Sequence, residues 1–155
     1  MGDVAALPGT QVAVLRLIQF SEGASEQLGA ARDEALAAGA TAFILDLRSN
    51  PGGFVHEAIE SASLFLDGET VYIRELASGE RIPVPTLPEL PAVDLPLVVL
   101  IDEGTASSAE ILSGALSAAG RAPLIGETTF GTGPVLLTFE LSDGSAVRIA
   151  VERWL

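Results

Sequence analysis

Three apolar runs of strand length, each followed by a polar or glycine-containing turn and a segment of helical period, restrict this chain to an alternating α/β architecture. The runs occupy residues 11–19 (QVAVLRLIQ), 42–47 (AFILDL) and 97–101 (LVVLI) and are rich in Val, Leu and Ile, as buried strands are. The segments between them carry helix spacing. Residues 24–38 place Leu28, Ala31, Ala35 and Ala38 on one face, with Gly39 as the stop. Residues 54–66 place Val55, Ile59, Ala62 and Leu66 inward, and a third helix spans 108–119. A hairpin is expected over 69–76 and 80–84, around Ala77-Ser78-Gly79. Pro83, Pro85, Pro88, Pro91 and Pro96 mark an extended internal loop rather than a domain linker, since neither side looks complete alone. Strands at 123–125, 135–141 and 146–151 close the chain, the last two joined by residues 142–145. The expectation is a mixed, mostly parallel sheet flanked by helices, in one domain over 1–155.

Composition narrows the function. A chain of 155 residues with 48% hydrophobic and 19% charged residues can bury a core and is not disordered. A net charge of −13 repels nucleic acid and anionic membranes, so neither is expected as a partner. No apolar run is long enough to cross a bilayer, and no targeting signal is read in this chain. The lack of cysteine excludes disulfides and thiolate chemistry. With His56 the single histidine and no ligand spacing, neither a metal nor a cofactor is expected.

Three segments can carry chemistry. Ser107, in GTASSAE, lies where the 97–101 strand hands over to a helix, the edge at which open α/β sheets gather ligands. Amide donors and the positive end of the helix there can stabilise an oxyanion. Ser107-Ser108-Ala109-Glu110 is equally an S-x-x-E capping box, which satisfies orphan amides without catalysis. Asn50-Pro51-Gly52-Gly53 also opens a helix beyond a strand and lets amides approach a ligand, or is an ordinary turn. Residues 126–133 (GETTFGTG) either present a side chain to a neighbouring site or merely turn the chain; no Lys-Ser/Thr pair makes them a phosphate loop.

Taken together, LDLRSNPGGFVHEAIESASLFL, LPLVVLIDEGTASSAEILSGAL, GRAPLIGETTFGTG and LSDGSAVRI resemble, in order, the carboxyl-terminal processing (tail-specific) proteases of serine peptidase family S41. The resemblance implies a ClpP/crotonase-like core, a nucleophile at Ser107, and an oxyanion hole from the amides of Gly53 or Gly52 and of Ser108. It implies a protein substrate with an extended C-terminal tail and an extracytoplasmic full-length protein, of which this chain, without a PDZ-like segment, is the protease core.

The sequence departs from that family at its base. The lysine position is Thr132 and the supporting glutamine position is Leu136, and no lysine occurs anywhere in the chain. A hydroxyl is too feeble a base to activate serine near neutral pH. His56, three residues past Gly53, is the candidate substitute because its ordinary pKa suits base chemistry; a solvated histidine on a first helical turn is the competing reading. Glu110 and Glu127 are weak bases unless desolvated. Three functions stay open: a serine endopeptidase of weakened activity, a non-catalytic peptide-binding relative, and a crotonase-like acyl-CoA enzyme.

Overall fold

The computed structural model describes residues 4–6, 10–90 and 92–155. Pro91 and the first three residues lie outside them. The order of elements is β1 (Val4–Ala6), β2 (Val12–Arg16), α1 (Ala24–Ala37), β3 (Ala42–Asp46), α2 (Val55–Ser63), β4 (Thr70–Leu76), β5 (Arg81–Pro85), β6 (Leu97–Ile101), α3 (Ser108–Ala118), β7 (Leu124–Gly126), β8 (Pro134–Glu140) and β9 (Ala146–Trp154). The three apolar runs become β2, β3 and β6, which pair in parallel, with β7 added beyond β6 and β1 antiparallel at the other edge.

Alternation along these strands builds the core. Ala13 and Leu15, Phe43 and Leu45, and Leu97 and Val99 are buried with Leu28, Ala58, Ala62, Leu112 and Leu116 of the helices. The intervening Val14, Ile44, Val98 and Leu100 stay half-buried, so the apolar runs are not enclosed equally on both faces.

The helix faces differ from the pattern read in the sequence. In α1, Leu28 and Ala35 are buried as expected, but Ala38 is exposed and Arg32 turns inward, donating to the Leu64 carbonyl at 3.1 Å. In α2, Val55 and Ile59 are only half-buried, while Glu57, Ala58 and Ser61 are enclosed. Glu57 explains the rotation. Gly23, the N-cap of α1, has no side chain to satisfy the orphan amides there. The Glu57 carboxylate does so from the neighbouring helix, accepting the amides of Gly23 at 2.6 Å and Ser25 at 2.7 Å.

A second, antiparallel sheet has the order β5-β4-β9-β8. Its two hairpins are local and were legible, but their union depends on β4 meeting β9 near the end of the chain, Arg74 opposite Trp154. An Arg74–Glu152 ion pair reinforces that junction, and β9 runs on to Trp154, past the expected residue 151. Pro83 and Pro85 fall on β5, a sheet edge, where a missing N–H is tolerated. The following loop is tied to the core rather than free: Leu87 N–H donates to Ser63 Oγ, and Arg121 donates to the carbonyls of Val93 and Leu95. The β8–β9 ribbon is the least covered part, with Leu137, Phe139, Leu141, Val147 and Ile149 between 40% and 50% exposed.

Acid sensitivity follows from two buried carboxylates. Burial pushes the Glu57 carboxyl up, but the bonds from Ser25 and Gly23 outweigh it and hold the group below its usual range. The Arg48 guanidinium does the same for Asp46, against a smaller opposing effect of burial. A carboxyl lowered in the folded state stabilises the fold above its unfolded pKa of about 4, and that stability is lost as pH falls through the folded value. Glu57→Gln is expected to lower stability at pH 7 by about 1–2 kcal/mol, the range for losing a helix cap. It should also reduce the loss of melting temperature between about pH 5 and 3; an acid limb as steep as that of the unsubstituted chain would exclude this role for Glu57.

Candidate active site

Parallel pairing of β2, β3, β6 and β7 delivers their carboxyl ends to one edge, and the three sequence segments singled out above leave from that edge. Main-chain bonds zip them together. Ala106 N–H donates to the Asn50 carbonyl at 2.9 Å, and Phe130 N–H to the Thr105 carbonyl at 3.0 Å. The Thr105 hydroxyl reaches the Leu47 carbonyl, and the Ser49 amide donates to Asp102 Oδ1 at 2.7 Å. That amide outweighs the opposing effect of burial and, with the Ser49 and Thr105 hydroxyls and the Gly104 amide, holds the Asp102 carboxyl below its ordinary range.

The Asn50-Pro51-Gly52-Gly53 turn is built around a fully buried asparagine. Asn50 Nδ2 donates to the Leu17 carbonyl at 2.8 Å, and its Oδ1 accepts the Gly52 amide at 2.9 Å. Neither glycine tolerates a side chain. A Cβ on Gly52 would stand 2.7 Å from Ser107 Cβ and 2.9 Å from the Ser108 nitrogen; on Gly53 it would strike the Phe20 carbonyl. Ser107 therefore sits against the proline–glycine turn, and Ser108 Oγ donates across to the Gly53 carbonyl at 2.9 Å. The Gly52 amide is committed to Asn50, whereas among the described residues no hydrogen bond engages the amides of Gly53 and Ser108. The two uncommitted donors come from the proline–glycine turn and from the first residue of α3, which the Ser108 Oγ bond to the Gly53 carbonyl joins.

Ser107 occupies the N-cap of α3, and its amide donates to Glu110 Oε2 at 2.8 Å, the glutamate half of the capping box; the Glu110 amide donates to the Ser107 carbonyl at 2.8 Å rather than to its hydroxyl. Capping alone does not account for the backbone. An N-cap ordinarily takes an extended conformation. Ser107 has φ 56° and ψ −120°, a strained state for a residue with a side chain and one found where a nucleophile is held on a sharp strand-to-helix turn. The capping partner also does more than cap. Glu110, 7% exposed, accepts Thr129 Oγ1 at 2.8 Å, the Gly131 amide at 2.6 Å and the Thr132 amide at 2.9 Å. Its second set of donors, 19 to 22 residues downstream, lies beyond what a local motif displays.

A cleft of about 240 Å³ opens in front of Ser107. Gly53, Thr132 and Leu136 line it with the serine, so the resemblance's nucleophile, oxyanion, lysine and glutamine positions share one space. Arg148 and Trp154 line it as well, and no motif in the sequence marked them. His56 does not line it. Its ring, 54% exposed, stacks on Phe54 with centroids 5.3 Å apart, and Nε2 faces Glu57 Oε1 at 3.7 Å and Glu22 Oε2 at 3.9 Å. The expected substitute base thus faces two carboxylates and is not among the residues that line the cleft. Glu22, His56 and Glu57 do bring three potential ligand atoms within 4.8 Å, a grouping that sequence spacing concealed. Both Glu57 oxygens already accept α1 amides, so the trio is a poor fit for a metal.

Comparisons with known proteins identify the family and the fold. Residues 11–155 match Peptidase family S41. The chain is 42% identical over 147 residues to a carboxyl-terminal-processing protease of Synechocystis, covering 95% of this chain and 34% of that protein. It is 42% identical over 142 residues to the carboxy-terminal processing protease CtpA of Bacillus subtilis, covering 91% of this chain and 30% of that one. The chain thus spans about a third of the length of these relatives. The solved photosystem II D1 C-terminal processing protease superposes with a TM-score of 0.86 at 32% identity, over 98% of this chain and 41% of that one. The parallel sheet with its helices is accordingly a ClpP/crotonase-like core, and this chain is a member of peptidase family S41.

Proposed function

We propose that the chain is the protease core domain of a C-terminal processing serine endopeptidase, with Ser107 as nucleophile and the amides of Gly53 and Ser108 as its oxyanion hole. The observation that carries this reading is the strained Ser107 backbone pressed against Gly52, with two uncommitted amides beside it. In that arrangement Ser107 Oγ attacks the scissile carbonyl, and the oxyanion that forms takes hydrogen bonds from the two amides. The substrate is a protein whose extended tail lies in the cleft, as the names of the relatives suggest for them. The full protein works outside the cytoplasm or in a comparable compartment; some relatives are named chloroplastic. Among the described residues no helix is long and apolar enough to cross a membrane.

Thr132 sets the rate. It holds the lysine position, lines the cleft and is fixed through its amide to Glu110, but its hydroxyl does not accept the serine proton near neutral pH. Losing a general base lowers the rate by about 10² to 10⁴, while an oxyanion hole and binding retain about 10³ over water. Turnover is therefore slow, and the same observation favours a second reading, a catalytically degenerate relative that binds extended peptides in the cleft.

A fluorophosphonate probe separates the two. Labelling of Ser107, absent in Ser107→Ala, is expected to be weak in the unsubstituted chain. In Thr132→Lys it is expected to rise, with peptide hydrolysis, by about 10² to 10⁴. No labelling of either protein between about pH 6 and 9, a window that takes an ordinary imidazole from mostly charged to neutral, leaves the binding module as the function. His56→Ala should leave labelling unchanged, since that ring lies outside the cleft lining.

The Glu110 carboxylate gives an independent check. Glu110→Gln turns an amide NH₂ toward N–H donors that now meet an oxygen, at an expected loss of about 1–3 kcal/mol in stability. Labelling of the folded variant should fall more than about tenfold relative to Thr132→Lys alone when both changes are combined; equal labelling would show that Glu110 only caps α3.

A further inference from the structure

Arg148 gives the cleft a chemistry that the serine and its loops lack. The pairings Leu136 with Ala150 and Thr138 with Arg148 place Arg148 on the same face of the β8–β9 ribbon as Leu136, and both side chains line the cleft with Ser107. Most of the other arginines are occupied. Arg32, Arg48, Arg74 and Arg81 meet carboxylates, and Arg121 donates to main-chain carbonyls. Arg148 has no ion-pair partner among the described residues, in a chain with 21 acidic residues and a net charge of −13. Around it the lining is largely apolar, with Ile111, Leu136 and Trp154.

We propose that Arg148 is a specificity-determining residue that binds a carboxylate of the peptide held in the Ser107 cleft. A guanidinium presents a planar fork that matches a carboxylate through two parallel hydrogen bonds, and the apolar lining takes the adjoining side chains. The carboxylate is an acidic side chain or the free C-terminus, within a few residues of the bond offered to Ser107. The overall negative field disfavours such a peptide elsewhere on the surface, so the selectivity is local to this cation. This inference rests on the reading of the cleft as a peptide site but does not require turnover.

Binding is therefore the readout, measured by fluorescence anisotropy with labelled hexapeptides of alanine and valine. One ends in a free carboxylate, one in an amide, and one is amidated with a glutamate inside. At low salt at least one carboxylate-bearing peptide is expected to bind about fivefold or more tighter than the neutral one, the upper range for an exposed ion pair. The ratio should shrink as ionic strength rises. Which of the two keeps the advantage identifies terminus or side chain as the source. Arg148→Ala and Arg148→Glu should bring the ratio to one or below, with Arg148→Lys intermediate. Arg153→Ala, which removes the same charge from an exposed residue outside the cleft lining, should leave it intact. A ratio of one in the unsubstituted chain, or one that survives in Arg148→Glu or falls equally in Arg153→Ala, overturns the inference. If Ser107 labels with the fluorophosphonate while the ratio is one, only the role of Arg148 fails. If no peptide binds and no label is taken up, the peptide-cleft reading fails with it.

Discussion

One buried carboxylate holds the site in register. Glu110 gathers the Ser107 amide on one oxygen with the Thr132 amide, and the Gly131 amide and Thr129 hydroxyl on the other. The carboxylate is the buried member, and four donors meet its two oxygens, as a charge withdrawn from water requires. The α3 start and the β7–β8 loop are thereby fixed relative to each other. The strained backbone of Ser107 persists because its amide is held by Glu110, its neighbour Ala106 is bonded to Asn50, and the absence of a side chain on Gly52 leaves room for Ser107 Cβ.

This clamp works only because the sheet is parallel where it matters. Parallel strands send all their carboxyl ends to one edge, so turns distant in sequence become neighbours without any long-range motif to announce it. Asn50 shows the economy of the arrangement. Its side chain fixes the shape of its own turn and its carbonyl receives the Ala106 amide, so a single buried residue spaces the proline–glycine turn from the serine loop.

Much of this was readable from residue order. The three Val/Leu/Ile runs gave β2, β3 and β6, the S-x-x-E signature gave the start of α3, and the paired glycines gave a close approach of backbone. What stayed hidden shares one physical property, long sequence separation. Glu57 caps a helix whose N-cap lies 34 residues before it, and its inward turn is why Val55 and Ile59 are less buried than their spacing implied. The meeting of β4 with β9, and the entry of Arg148 and Trp154 into the cleft, depend on how two hairpins join, which no local pattern encodes. His56 misled for the opposite reason. Proximity to Gly53 along the chain suggested a partner for the serine, but a helix start turns successive side chains through about 100°, and the ring faces Glu22 and Glu57.

The β8–β9 ribbon gives the cleft two walls of unequal hardness. On one side stand Ile111 in the largely buried α3, Ser107 at its N-cap, and Gly53, bridged to Phe20. On the other, Pro134 to Leu136 and Arg148 ride on two strands whose side chains are bathed in water over most of their length, hinged to the main body where β9 meets β4. The place of that wall is therefore set by strand pairing far from the serine, and a change at Arg74 or Glu152 reaches the cleft through β9 while leaving the loops around Ser107 as they are.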